Sequence, residues 1–230
     1  PTPDRFGVAD EVEDRLHQIF TTDGGAAVVV PPGEHRIIVS RGYEYALFDQ
    51  TITVAADESQ AVEVVLARQV DSEGVMCADF HIHALFSPDS ADTFERKVAG
   101  AVADGLEIPC SSEHEWVASF APMVEQLGLE DWAFGMSASE LTTFGWGHFG
   151  VVPLRPRPGA LNQGAIDWID RSPPEVFATI DELEEQPAVI VNHPRSFAMG
   201  YFSAALLRDD GTSTSELWSE NFDAVEGGQP

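Results

Sequence analysis

From Val75 onward the chain alternates short apolar runs with segments of helical period, and this alternation restricts the fold more than any other feature of its 230 residues. VMCADFHIH, LEIPCSS, AFGMSASELT, WGHFGVVPL, PAVIVNHP and FDAVEG read as strands. Between them, DTFERKVAGAVADGL repeats Phe94, Val98, Ala101 and Val102 at helical spacing behind Asp92 or Thr93 as a cap. APMVEQLGL reads as a short helix, and SPPEVFATIDELEEQ opens on Ser172 as a cap with Pro173 or Pro174 at its start. Such alternation predicts an α/β domain with a parallel, barrel-like sheet. In that architecture functional groups gather at the C-terminal ends of the strands.

Residues 26–66 follow a different rule. Short β-branched and aromatic runs are broken by PPG, RG and FDQ, which read as turns, and AVEVVLA adds another strand. The expected organisation is therefore a small all-β, sandwich-like region over 1–74, ending in the linker RQVDSEG, and an α/β domain over 75–230. DEVEDRLHQIF, Asp10–Phe20, reads as a short amphipathic helix or a first strand. The chain opens on PTPDRF without a Met, which fits a processed or cut terminus, and the appended β-region points weakly to export.

Charge narrows the partners. The chain carries 39 acidic against 12 basic residues, a formal net charge of -27, and Lys97 is its single lysine. That field repels nucleic acid and anionic membranes. No apolar stretch reaches the roughly 18 residues of a membrane span. Cys77 and Cys110 do not make a disulfide framework. Both read as small buried side chains, with one bridge as the alternative.

His81 and His83 stand at i and i+2 on one strand, so their imidazoles share a face near its end. Alone the pair is weak evidence for a metal site, but it has companions. Glu113 and His114 end the next strand, Glu140 ends the third, His148 follows in TTFGWGH, and His193 ends AVIVNHP. Five of the seven histidines thus fall at strand ends of one α/β unit; His17 and His35 lie outside it and have no expected catalytic role. Imidazole and carboxylate donors suit Zn²⁺, Fe or Mn²⁺. Glu140 is a candidate bridge, because a carboxylate can give one oxygen to each of two metals.

ADFHIHALFSPDS, SSEHEW, SASELTTFGWGHFGVVPL and VNHPRS together resemble the PHP (polymerase and histidinol phosphatase) superfamily of metallohydrolases, and most nearly its CehA/McbA-like branch. The resemblance covers roughly Val75 to Gly228, and PPGEHRIIVSRGYEY resembles the β-rich region that precedes this domain in some of those proteins. It implies a distorted seven-stranded α/β barrel with two or three divalent metals and a small-molecule phosphate or carboxylic ester as substrate. By position it implies His81, His83 and Glu140 at a first metal, Asp89 and His114 at a second, and Glu140, His148 and His193 at a third. A hydroxide bridging two metals would attack phosphorus or a carbonyl carbon. Arg195 is a candidate for holding an anionic substrate oxygen. Glu113 would orient His114 or be solvated, and Asp79 carries the same two alternatives.

The match also has a gap. The family's closing Asp-x-His motif does not occur after His193. The expectation is a C-terminally truncated barrel with incomplete metal binding, which leaves the activity of this chain open, the intact protein being a phosphoesterase. Two other classes compete: a carboxylic or carbamate ester hydrolase with the same site, and a non-catalytic binding protein built on a degenerate barrel. Arg155 and Arg157 in VPLRPRPG read as part of a rigid surface connection or as an attractor for anions. Trp116, Trp132, Trp146 and Trp168 read as packing or as a pocket for an apolar leaving group.

Overall fold

A period of two in the side-chain pattern builds strands in both halves of the chain, yet only one half assembles them into a large sheet. The computed structural model describes residues 8–9, 17–196 and 199–227, with side chains from residue 19 onward. The chain divides into two units: 1–77 with 98–107, and 78–97 with 108–230.

In the first unit, β1 (Val8–Ala9) pairs antiparallel with β2 (His17–Gln18), and β3 (Gly33–Val39) pairs antiparallel with β4 (Phe48–Val54). Most of the expected Asp10–Phe20 element lies outside the described residues. In the β3–β4 hairpin, His35 faces Ile52 and Val39 faces Phe48 across the ladder, all half-buried on one side. Arg36 and Asp49 pair at 2.6 Å on the exposed side. The expected strand over AVEVVLA does not form a ladder. Val62, Val64 and Leu66 are half-buried and alternate with exposed neighbours, and an isolated bridge from Arg68 to Tyr45 follows the segment. Extended propensity without a partner strand leaves a sidedness and no sheet.

The second unit holds β5 (Ala78–Ile82), β6 (Ile108–Ser111), β7 (Ala118–Ser119), β8 (Met136–Thr142), β9 (His148–Val152), β10 (Ala188–Asn192) and β11 (Ala224–Val225). They form one sheet in the order β11-β10-β9-β8-β6-β5, with β7 paired to β8. Helices α1 (Phe94–Ala103), α2 (Ala121–Gln126) and α3 (Pro173–Asp181) fall between strands, as the sequence pattern predicts, and a single turn α4 (Tyr201–Ala204), not read from the sequence, lies between β10 and β11. Thr93 caps α1 through its hydroxyl to the Arg96 N–H, and the Glu175 carboxylate takes both the N–H and the hydroxyl of Ser172 at the start of α3. None of the described helices is long and apolar enough to cross a membrane.

The sheet is mixed rather than parallel. β5, β6 and β8 run together and β10 runs with β11, but β9 is antiparallel to both β8 and β10. The cause lies in residues 143–147: a link of that length closes a hairpin, whereas a parallel crossover needs about a dozen residues or more. The reversal has a useful result. His148 begins β9 and stands opposite Thr142 and Asn192, which end β8 and β10. A residue at a strand start thereby reaches the same edge as its neighbours' C-terminal ends.

Alternation then sorts the two faces. Leu141, Phe149, Val151, Val189 and Val191 turn to the core with Val176, Phe177 and Ile180 of α3 and with Tyr201. Phe149 meets Phe177 and Tyr201 edge-on, at 5.1 and 5.0 Å between ring centres. Their partners by parity, Glu140, His148 and Asn192, turn to the other face. Deeper on that face Cys110, Ala138 and Val152 form a small buried apolar cluster with Met136, Ala188 and Ile190. Both cysteines are free thiols, and burial pushes Cys110 up to about 12.

Candidate metal centre

Glu140 is fully buried in the second unit, and no lysine or arginine neutralises it among the described ion pairs. Its surroundings are imidazoles. His81 Nε2, His148 Nδ1 and His193 Nε2 lie 3.3, 3.4 and 3.4 Å from Oε1. His83 Nε2 and His114 Nδ1 lie 3.3 and 2.8 Å from Oε2. Burial by itself would raise the Glu140 carboxyl, but His114, His148, His193 and His81 outweigh it and hold it far below the usual carboxylate range. Asn192 adds an amide N–H to Oε1 at 2.9 Å.

A buried carboxylate is costly unless opposite charge and hydrogen bonds compensate it. Neutral imidazoles do not carry that charge, and five protonated ones packed together would repel. His81 Nε2 and His83 Nε2 lie only 3.0 Å apart. Against burial, Glu140 and Glu226 raise His81 to about 9, while burial, with the positive fields of His114 and His81, drives His83 down to about 4. The close packing of the rings thus opposes protonation of the whole cluster. Glu140 Oε2, His148 Nδ1 and His193 Nδ1 are buried without any hydrogen-bond partner. Donor pairs at 3.0–3.4 Å match the spacing of two ligands about 2.1 Å from one tetrahedral ion. A divalent cation would balance the Glu140 charge and give partners to Glu140 Oε2 and His148 Nδ1, and the donor set fits one.

Three overlapping groups have donors close enough to share an ion: His81, His83 and Glu140; His83, Asp89 and His114; and His114, Glu140 and His148, each with ligand atoms within 4.8 Å of one another. The structure therefore brings together all seven residues singled out as ligands, His193 joining through Glu140. His114 Nε2 lies 3.3 Å from Asp89 Oδ2, in the exposed loop after β5.

The outer contacts set how the rings point. The Ser87 hydroxyl donates to Glu113 Oε2 at 2.7 Å, accepts the His114 N–H at 3.0 Å and sits 3.1 Å from His83 Nδ1. With its proton committed to Glu113, that oxygen can only accept from His83, which leaves the Nε2 lone pair facing Glu140. Glu113 is fully buried and also takes the Ala84 N–H. It is not solvated, and it acts on the loop after β5 and on Ser87 rather than on the His114 ring. Thr142 Oγ1, which donates to the Glu140 carbonyl, lies 2.6 Å from His114 Nδ1. Asp79 accepts the His81 N–H at 2.9 Å.

Glu226, just past β11, was not among the residues singled out from sequence. Its Oε1 lies 3.1 Å from His81 Nδ1 and its Oε2 accepts the His193 N–H. β5 and β11 are the two edges of the hydrogen-bonded sheet order, yet this contact joins side chains at their ends, so the sheet curls into a half-barrel. The available signal was a carboxylate at the tip of a strand already recognised in FDAVEG.

The other candidates fall elsewhere. Arg195 is exposed, with its guanidinium 5.7 Å from the Phe202 ring centre. Arg157 pairs with Glu185 at 3.3 Å and shares a surface groove with Arg155 and residues 182–185. Trp146 and Trp168 pack in or against the core, and Trp116 stacks on Phe86 at 5.2 Å. Trp132 is largely exposed.

No protein-family profile matches the chain, and no curated protein does. One solved structure is similar: a two-domain protein from Bacteroides vulgatus ATCC 8482, described as containing a predicted PHP-like metal-dependent phosphoesterase, at 21% identity and a TM-score of 0.40. The match covers 71% of this chain and 45% of that one, so the chain spans less than half the length of that protein.

Proposed function

We propose that the chain carries the metal centre of a divalent-metal-dependent hydrolase of PHP type, acting on phosphate esters. The observation that supports this is the buried Glu140 carboxylate with five imidazoles within 3.4 Å and, among the described residues, no lysine or arginine paired with it. His81, His83 and Glu140 would hold one ion, Asp89 and His114 a second, and Glu140, His148 and His193 a third. Bound there, the ions would supply Lewis acidity toward the scissile group and activation of water. The chain's own work is positional. Ser87 and Glu113 fix the His83 ring, Thr142 fixes that of His114, and Asn192 fixes the Glu140 carboxylate. The apolar cluster of Cys110, Ala138 and Val152 excludes water from beneath them. The choice of phosphate over carboxylic or carbamate esters follows the motif resemblance, and the same donors serve either.

Metal content per chain, measured by elemental analysis after loading with Zn²⁺ or Mn²⁺, should be at least one ion, and aryl phosphates should be cleaved faster than aryl carboxylic esters. Cleavage that persists in His81→Ala after chelation would remove the metal reading. Tight metal binding without turnover of any ester would leave the non-catalytic binding protein in its place.

A further inference from the structure

We propose that Glu226 is a positioning residue of the metal centre, fixing two ligands from opposite edges of the sheet through one carboxylate. The inference rests on the metal reading above and goes beyond it, because Glu226 belongs to none of the three donor groups. Its oxygens are both committed. Oε1 faces His81 Nδ1 at 3.1 Å, and the opposite ring nitrogen, Nε2, faces Glu140 at 3.3 Å. A carboxylate on the far nitrogen keeps the proton on Nδ1, leaves the Nε2 lone pair for an ion, and makes that nitrogen a stronger donor.

The second oxygen does different work. Oε2 accepts the backbone N–H of His193, a residue held at φ +30°, left-handed backbone that a side chain of this size rarely adopts. An acceptor at that N–H stabilises a conformation the residue would otherwise leave, and with it the direction of the His193 ring toward Glu140. Glu226 is itself seated by its own N–H on the Val191 carbonyl. Nearby Asp223 binds Val189 through both backbone and side chain, with its carboxylate taking the Val189 N–H at 2.8 Å. Asp223 thus anchors the same short strand without touching an imidazole, which provides a control for a merely structural role.

The test compares wild type with Glu226→Ala, Glu226→Gln and Asp223→Ala, each as the full chain. Zn²⁺ affinity is read by competition with a chromophoric chelator, and the ring nitrogens of His81 are followed by ¹⁵N NMR of the Zn²⁺-loaded protein. Loss of such a carboxylate should weaken Zn²⁺ binding about 10–100-fold in Glu226→Ala. Glu226→Gln should recover part of that, since its amide oxygen can accept the same proton, while the His81 Nδ1–H resonance moves. Asp223→Ala should weaken binding less and leave the resonance in place. Wild-type affinity in Glu226→Ala, an unmoved resonance in Glu226→Gln, or an Asp223→Ala variant that reproduces both changes would overturn the proposal. Should Glu226→Ala fail to fold, Glu226→Gln decides alone. A wild-type chain that takes up no Zn²⁺ overturns this role together with the metal reading, whereas normal loading with an indifferent Glu226 overturns only the role.

Discussion

Strands β8, β9 and β10 present two faces of opposite chemistry. On one, Leu141, Phe149, Val151, Val189 and Val191 join an aromatic core; on the other, Glu140, His148 and Asn192 crowd polar groups that are just as buried. The same backbone ladder supports both. Side-chain parity alone decides which residue meets hydrocarbon and which meets imidazole. The core face gains from burial by the hydrophobic effect. The site face loses by it, because a buried charge is compensated only by a partner. One face therefore stabilises the fold at rest, and the other does so only when loaded.

The sharpest way to break this contrast is Glu140→Ala. Removing the carboxylate shared by five imidazoles should abolish Zn²⁺ uptake and any metal-dependent hydrolysis. Added Zn²⁺ should raise the melting temperature of wild type but not of the variant, as calorimetry with and without chelator will show. On the core face, Phe177→Ala should cost about 3–5 kcal/mol in urea unfolding, the range for a large aromatic removed from a packed interior. It should leave Zn²⁺ stoichiometry of the folded fraction unchanged. Between the faces stands Gly147, at φ +112°, where an added Cβ would lie 2.8 Å from Tyr201. Gly147→Ala should cost about 1–3 kcal/mol from overpacking, and it should also weaken Zn²⁺ binding because His148 is the next residue. The smallest effect concerns the thiols. Cys110, fully buried and pushed up to about 12, should resist iodoacetamide at pH 8 until urea opens the domain. The half-buried Cys77 should react first, as peptide mass mapping will report.

Much of the site was legible because its residue types are scarce and its positions regular. Histidines at 81, 83, 114, 148 and 193 stand out among seven in the chain, and Glu140 lies between two of them at a strand end. Glu226 was hidden for the opposite reason. A carboxylate is unremarkable among 39 acidic residues, and only the curl that brings β11 to β5 gives it meaning. The order of strands and helices was also legible from periodicity, but direction was not. Alternation reads the same both ways along a strand, so the reversal of β9 was encoded only in the brevity of 143–147. In 61–67 the pattern is strand-like, and what is missing is the neighbour a ladder requires, a property of distant residues that local composition does not record.

The brevity of that turn has a last consequence. The hairpin of β8 and β9 behaves like a reading frame whose codon is two residues long. Deleting one residue from 143–147 and letting β9 slide by one would put Phe149 where His148 stands and Gly150 where Phe149 meets Phe177 and Tyr201. A single frameshift of the ladder would silence the chemistry and spoil the core in one stroke, so the two functions of this strand are inherited together or lost together.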